Sequence, residues 1–390
     1  MALVREIEGF AGEMTSWRRD IHAHPELGFQ EHRTADFVSS QLKKFGVEVH
    51  EGVGKTGVVG VLKSGSSAKR IGLRADMDAL PILEANTFQH KSTKDGVMHA
   101  CGHDGHTAML LGAAKYLAAT RSFDGTVHFI FQPAEEGIGG AKAMIDDGLF
   151  RRFPCEAVFG MHNRPGMPLG RFAVRSGPMM AGGAFFDIDI EGVGAHGARP
   201  ESGVDPVLVA AHVTAALQSI VSRNVRPVDT AVLSVTQIHS GDAYNVIPQR
   251  ARLSGTARCF SNDVMALIEK NTKRLAQSVA AGFGAKATTD FRVTFPPLLN
   301  NPKEADFAAS ICAEVVGVDH VKRDPALIMA SEDFAFMLAE VPGCYINIGN
   351  GDGTGACEVH NPSYDFNDRA LPYGASFFAR LVEQRLRSGV

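Results

Sequence analysis

Short apolar strands that each run out into acidic or histidine side chains constrain this chain more than any other feature. Ile71-Gly72-Leu73-Arg74 leads into Ala75-Asp76-Met77-Asp78, and Thr126-Val127-His128-Phe129-Ile130-Phe131 leads through Pro133 to Glu135-Glu136. Ala157-Val158-Phe159-Gly160 ends in Met161-His162-Asn163, and Cys344-Tyr345-Ile346-Asn347-Ile348-Gly349 reaches His360 through a longer glycine-rich loop. Helical patterns lie between them, such as residues 107–119 with Met109, Leu110, Ala113, Ala114 and Leu117 on one face. Strands alternating with helices mark an α/β sheet with parallel strands. Such sheets bind ligands beyond the carboxyl ends of their strands. Asp76/Asp78, Glu135/Glu136, His162 and His360 are therefore expected at one edge.

The rest of the chain fits around that sheet. Residues 3–23 read as one amphipathic helix, and residues 33–45 as a second, closed by Gly46. His22 and His24 sit at a helix end and turn, where backbone partners give them structural roles. His128, inside a strand, reads as a packed residue. Gly52-Val53-Gly54-Lys55-Thr56-Gly57 imitates two phosphate-binding motifs, but Val49 stands where a P-loop needs glycine. A β-branched strand follows where both motifs require a helix, so the stretch reads as a hairpin-like turn.

From about Gly177 the order becomes β-α-β-β-α-β, a ferredoxin-like sandwich over residues 178–291. Pro296-Pro297 marks the return to the first domain. A chain of 390 residues exceeds what one core supports, so two domains are expected: residues 1–177 with 292–390, and an inserted 178–291.

A net charge of −4 offers no basic surface to nucleic acid. No apolar run reaches bilayer-spanning length, and Arg5, Glu6 and Glu8 interrupt any signal-peptide core near the start. The six cysteines lack paired spacing. Reduced thiols and a cytoplasmic location are the expectation.

His99-Ala100-Cys101-Gly102-His103-Asp104-Gly105-His106-Thr107 precedes a helix of the same domain, and Asp104 or Thr107 is available to cap that helix. A thiolate and imidazoles are ligands of borderline transition metals. Taken alone, Glu135-Glu136 reads as a solvated loop pair. Together with Cys101, His103 and the other strand ends, it points to a metal centre. One cysteine with scattered histidines and carboxylates is unlike a closed structural zinc site, and it exceeds what one tetrahedral ion needs. Two ions sharing a ligand suit it, with Cys101 as a bridge. One glutamate would bind metal while its neighbour serves as general base. Two other readings use the same residues. One is a thiol enzyme with Cys101 as nucleophile and His103 or His106 as base. The other is a metal-stabilised binding protein without turnover.

The chain resembles the amidohydrolases of metallopeptidase family M20, in the branch of hippurate hydrolases, N-acyl-amino-acid amidohydrolases and auxin-conjugate hydrolases. The matching stretches include His24-Pro25-Glu26-Leu27, Arg74-Ala75-Asp76-Met77-Asp78, Cys101-Gly102-His103-Asp104, Gln132-Pro133-Ala134-Glu135-Glu136, Gly160-Met161-His162, Gly194-Ala195-His196-Gly197, Asn245-Val246-Ile247-Pro248, Ser331-Glu332-Asp333-Phe334 and His360-Asn361-Pro362. The resemblance implies a phosphorylase/hydrolase-like α/β catalytic domain with a mixed, largely parallel sheet, and an inserted α+β lid and dimerisation domain. It implies Cys101, His103, Glu136, His162 and His360 as ligands of two divalent ions, Zn2+ or Mn2+, with Ni2+ or Co2+ also open. It implies Glu135 as general base and Asp78 as the residue orienting a ligand. His196 would be an oxyanion donor, in the family from a neighbouring subunit, and Asn245 and Arg258 would contact substrate. A homodimer or higher homo-oligomer and a small N-acyl amino acid substrate are implied, with N-acetyl-diaminopimelate or small peptides as alternatives. Asp76 and Cys101 depart from the wider family, which has a metal-binding histidine and a bridging carboxylate there.

Overall fold

The computed structural model describes residues 3–353 and 357–387. Its contacts divide the chain into two compact units. The first comprises Met1–Gly177, Leu299–Ala326 and Asp333–Val390; the second comprises Pro178–Leu298 and Leu327–Glu332.

The first unit is built on an eight-stranded sheet. Four neighbouring strands, Gly125–Gln132, Arg70–Asp76, Ala157–Arg164 and Gly343–Gly349, run parallel. The hairpin Glu48–Val53/Gly57–Ser64 adds antiparallel strands on one side, and Phe172–Val174 pairs antiparallel on the other. Burial on both faces explains the near-continuous apolar runs: every residue of Gly125–Gln132 is buried. The register aligns the strand ends. Asp76 lies opposite Gln132, and Asn347 opposite His162. The polar residues that follow the parallel strands thus emerge at one edge.

Helix His103–Thr120 starts at that edge. Its N-cap is Gly102 at φ 94°, and no side chain caps it. A Cβ at Gly102 would stand 2.3 Å from Asn163 Oδ1, so only glycine fits. Neither expected capping residue caps, because both are engaged elsewhere. The Thr107 hydroxyl donates to the Asp76 carbonyl, and Asp104 pairs with His22 and Arg18. The single helix expected over residues 3–23 is broken into Arg5–Gly9 and Ala11–Ala23. Phe10, at φ −118°, ends one and begins the other, next to Gly9, a poor helix former.

In the second unit, strands Gly182–Glu191, Ala231–Ser240, Arg250–Cys259 and Lys286–Phe295 form an antiparallel sheet. The first of these has the second and third on one side and the fourth on the other, the third lying next to it. With helices Pro206–Ser219 and Asn262–Gly282 this is the ferredoxin-like order. Ala184, Phe186, Ile188 and Ile190 alternate into its core, while Asp189 and Asp187 on the other face pair with Arg252 and Arg292.

Candidate metal centre

Seven of the expected site residues meet at the edge of the first unit's sheet. Cys101, His103 and His162 place one ligand atom each within 4.8 Å of one another, and so do Cys101, Glu136 and His360. His103, Glu135 and Glu136 form a third such group. Cys101 thus belongs to two trios that otherwise share no member. Asp78 connects them: its Oδ1 lies 3.2 Å from His103 Nδ1, and its Oδ2 accepts the Glu136 amide at 3.0 Å.

The imidazoles are presented in one tautomer. His103 Nδ1 lies 2.9 Å from the Asp78 carbonyl, and His162 Nδ1 lies 2.6 Å from the Asn163 carbonyl. A carbonyl only accepts, so each Nδ1 carries the proton. Burial opposes charge on His103, but Asp76 and then Cys101 raise its pKa well above the ordinary value, so a metal at its Nε2 would displace a proton. His103 Nε2 is buried without a hydrogen-bond partner, an arrangement costly unless something else satisfies it. Glu136 Oε1 stands 3.3 Å from His360 Nε2, and Cys101 Sγ stands 3.3 Å from His162 Nε2. Burial and neighbouring His106 hold the His162 imidazole well below its ordinary pKa, hence neutral as a ligand must be. Burial and then Glu136 push the Cys101 thiol well up, so a thiolate there needs a cation beside it. Soft, borderline and hard donors directed at common points fit divalent metal.

A further group, Asp76, His103 and His106, has ligand spacing but is already closed. Asp76 Oδ1 meets His106 Nδ1 at 2.6 Å, and Oδ2 meets Arg74 Nη1 at 2.6 Å. The Asn163 amide donates to His106 Nε2, leaving that ring no lone pair to spare. His106 is a support, as its position beside the ligands suggests.

Three expected residues belong to the second unit. His196 lies in a two-residue strand paired with Val246–Ile247, and Gly197 donates to the Asn245 carbonyl. The exposed His196 Nδ1 accepts the Ala198 amide. Arg258, on Arg250–Cys259, donates to Thr256 and lies over the Phe185 ring at 5.7 Å.

Asp333, in the motif Ser331-Glu332-Asp333-Phe334, has a role that no sequence pattern predicts. Its carboxylate accepts from Gln132 Nε2 and the Ala141 amide, both at 2.8 Å, and meets Arg74 at 3.2 Å. It ties together both ends of the segment that carries Glu135 and Glu136.

His22 stays outside the centre. It is buried between Asp104 (2.8 Å) and Glu84 (3.2 Å). Burial opposes its charge, but the hydrogen bonds it donates to Asp104 and then Glu84 outweigh this and raise its pKa to about 9. A raised folded-state pKa stabilises the protonated fold. The contribution, about 3 kcal/mol, is complete below the ordinary value of 6.5 and is lost as pH rises through about 9. Urea midpoints should therefore decline between pH 7 and 9.5, and His22→Leu should remove most of that slope. An equal slope in the variant would refute the assignment.

The family model for peptidase family M20/M25/M40 matches residues 72–384. A hippurate hydrolase of Campylobacter jejuni is 44% identical over 387 residues, covering 99% of this chain and 100% of that protein. An N-acetylcysteine deacetylase of Bacillus subtilis is 37% identical, covering 96% of this chain and 97% of that protein. The solved structure of a dinuclear metal-binding M20 peptidase from Bacillus subtilis superposes with a TM-score of 0.86 at 34% identity, covering 97% of this chain and 99% of that one. With a metal-ligand edge on the expected sheet and relatives matched from end to end, the chain belongs to peptidase family M20/M25/M40 and is a metal-dependent amidohydrolase.

Proposed function

We propose that the chain hydrolyses the amide bond of an N-acyl amino acid, giving a carboxylate and a free amino acid. The observation that carries this reading is the sharing of Cys101 by two ligand trios beside a further carboxylate, Glu135. Cys101, His103, Glu136, His162 and His360 would hold two divalent ions. Zinc or manganese suits the set, and nickel or cobalt is compatible with its thiolate. When bound, the ion pair supplies Lewis acidity and a water acidified towards neutral pH.

The protein's own groups do the rest. Glu135 takes the proton of the attacking water and delivers it to the leaving amine. Asp78 holds His103 and the Glu136 backbone in place. His196 donates to the carbonyl oxygen as it gains charge. Asn245 and Arg258 hold the substrate, the guanidinium facing its carboxylate. The first unit is the catalytic domain. The second is a lid and dimerisation domain, so that a homodimer or higher homo-oligomer is the working form. Its compartment is the cytoplasm; among the described residues no helix is long and apolar enough to cross a membrane.

A panel tests this: hippurate, N-acetyl amino acids, N-acetyl-diaminopimelate and capped dipeptides, assayed before and after dialysis against a chelator. Turnover should disappear with the metal and return with Zn2+, Mn2+, Co2+ or Ni2+, the best metal being read from the same assay. Full activity without metal would turn the reading towards a thiol nucleophile. Tight binding of the panel without any turnover would turn it towards a binding protein.

A further inference from the structure

Glu31 touches none of the proposed ligands, yet it is a wholly buried carboxyl group. It occupies the N-cap position of helix His32–Lys44, but its side chain makes no capping bond. It turns instead to two other parts of the first unit. One oxygen accepts the Ala134 amide at 2.8 Å, and the other accepts the Thr56 hydroxyl at 2.5 Å. Thr56 comes from the Gly52–Gly57 turn that imitates a phosphate loop. That turn joins two antiparallel strands, and it delivers a hydroxyl to Glu31.

What Glu31 holds is a strained link. Ala134 stands at φ 51°, in the left-handed region that a residue with a Cβ adopts only when its surroundings impose it. Its carbonyl accepts the Gly140 amide at 2.9 Å, and a Cβ on Gly28 would stand 3.0 Å from its methyl group. Two residues on, the Glu136 amide is held by Asp78. Glu135 therefore sits between two peptide groups, each anchored on a different buried carboxyl group.

We propose that Glu31 is a positioning residue for Glu135: by holding the Ala134 amide it fixes the left-handed turn that aims the Glu135 carboxylate. The proposal rests on the reading of Glu135 as general base. Displacing a catalytic group by about an ångström costs up to roughly 100-fold in rate, so the effect belongs in kcat.

The test uses the metal-loaded protein and reads kcat, KM, metal content and amide hydrogen exchange over residues 133–140. Glu31→Ala should lower kcat by about 10–100-fold, leave KM and metal content unchanged, and speed exchange in that segment. Glu31→Gln should keep both kcat and protection near the parent values, because its carbonyl oxygen can accept from Ala134 while its amide donates to the Thr56 oxygen. Should Glu31→Ala fail to fold, Thr56→Val, which removes the partner that orients Glu31, should give the same changes in smaller measure. Unchanged exchange over 133–140, or faster exchange with unchanged kcat, would overturn the proposal. A fully active Glu135→Gln enzyme would overturn the reading of the base alone; the exchange measurement would still decide whether Glu31 tethers the turn.

Discussion

Glu135→Gln should lower kcat by about 10²–10⁴-fold, the usual contribution of a general base, while metal content and KM stay near their parent values. The substitution preserves volume and leaves an oxygen for the Asp333 amide, which lies 3.4 Å from Glu135 Oε1. What it removes is the capacity to take a proton. The neighbouring substitution should behave differently. Glu136 Oε1 faces His360 Nε2 at 3.3 Å and His103 Nε2 at 4.0 Å, among the donor atoms themselves. Glu136→Gln should therefore lose metal as well as activity. Measuring kcat and bound metal in both variants separates two carboxylates adjacent in sequence. A Glu135→Gln protein that keeps its metal and its full kcat would end the base assignment.

The strand-end residues were legible because their signal is local. An apolar run of strand length followed by Asp76, Glu135 or His162 shows in a short window, and parallel pairing carries the ends to one edge. The second unit was legible for the same reason, its strand Gly182–Glu191 alternating from Ala184 onward. The supports Asp333 and Glu31 were not legible. Asp333 reaches Gln132 across 201 positions and Glu31 reaches Ala134 across 103, and no periodicity encodes such pairings. Asp104 shows the limit from the other side. Its place before an apolar helix suggests a cap, but Arg18 and His22 compete for the carboxylate, and the buried ion pairs win. Glu31 occupies the N-cap position of a helix, yet its side chain spends both oxygens on tertiary partners.

Cys101→Ser should cost more than any substitution behind the ligands. Changing a residue that supports a ligand lowers metal affinity or activity by roughly 10–100-fold, and Cys101 is the one donor common to both trios. A serine hydroxyl is a harder and far less acidic donor than a thiol, so it would be a much poorer anionic ligand at this position. The thiol is 7% exposed and flanked by Glu136. In that setting its charge is tolerable only beside metal. Parent protein reconstituted with Co2+ should show a sulfur-to-cobalt charge-transfer band; the variant should lack it and hold at least one ion fewer per chain. Activity should fall by more than about 100-fold, with the fold retained by circular dichroism, since Cys101 supplies little of the core. His162→Ala provides the contrast. It removes a member of one trio only, so it should weaken metal binding yet leave the charge-transfer band of the remaining ion. If Cys101→Ser kept the parent metal content and the band persisted, sulfur would not be a ligand. The shared place of Cys101 in the two trios would then be packing alone.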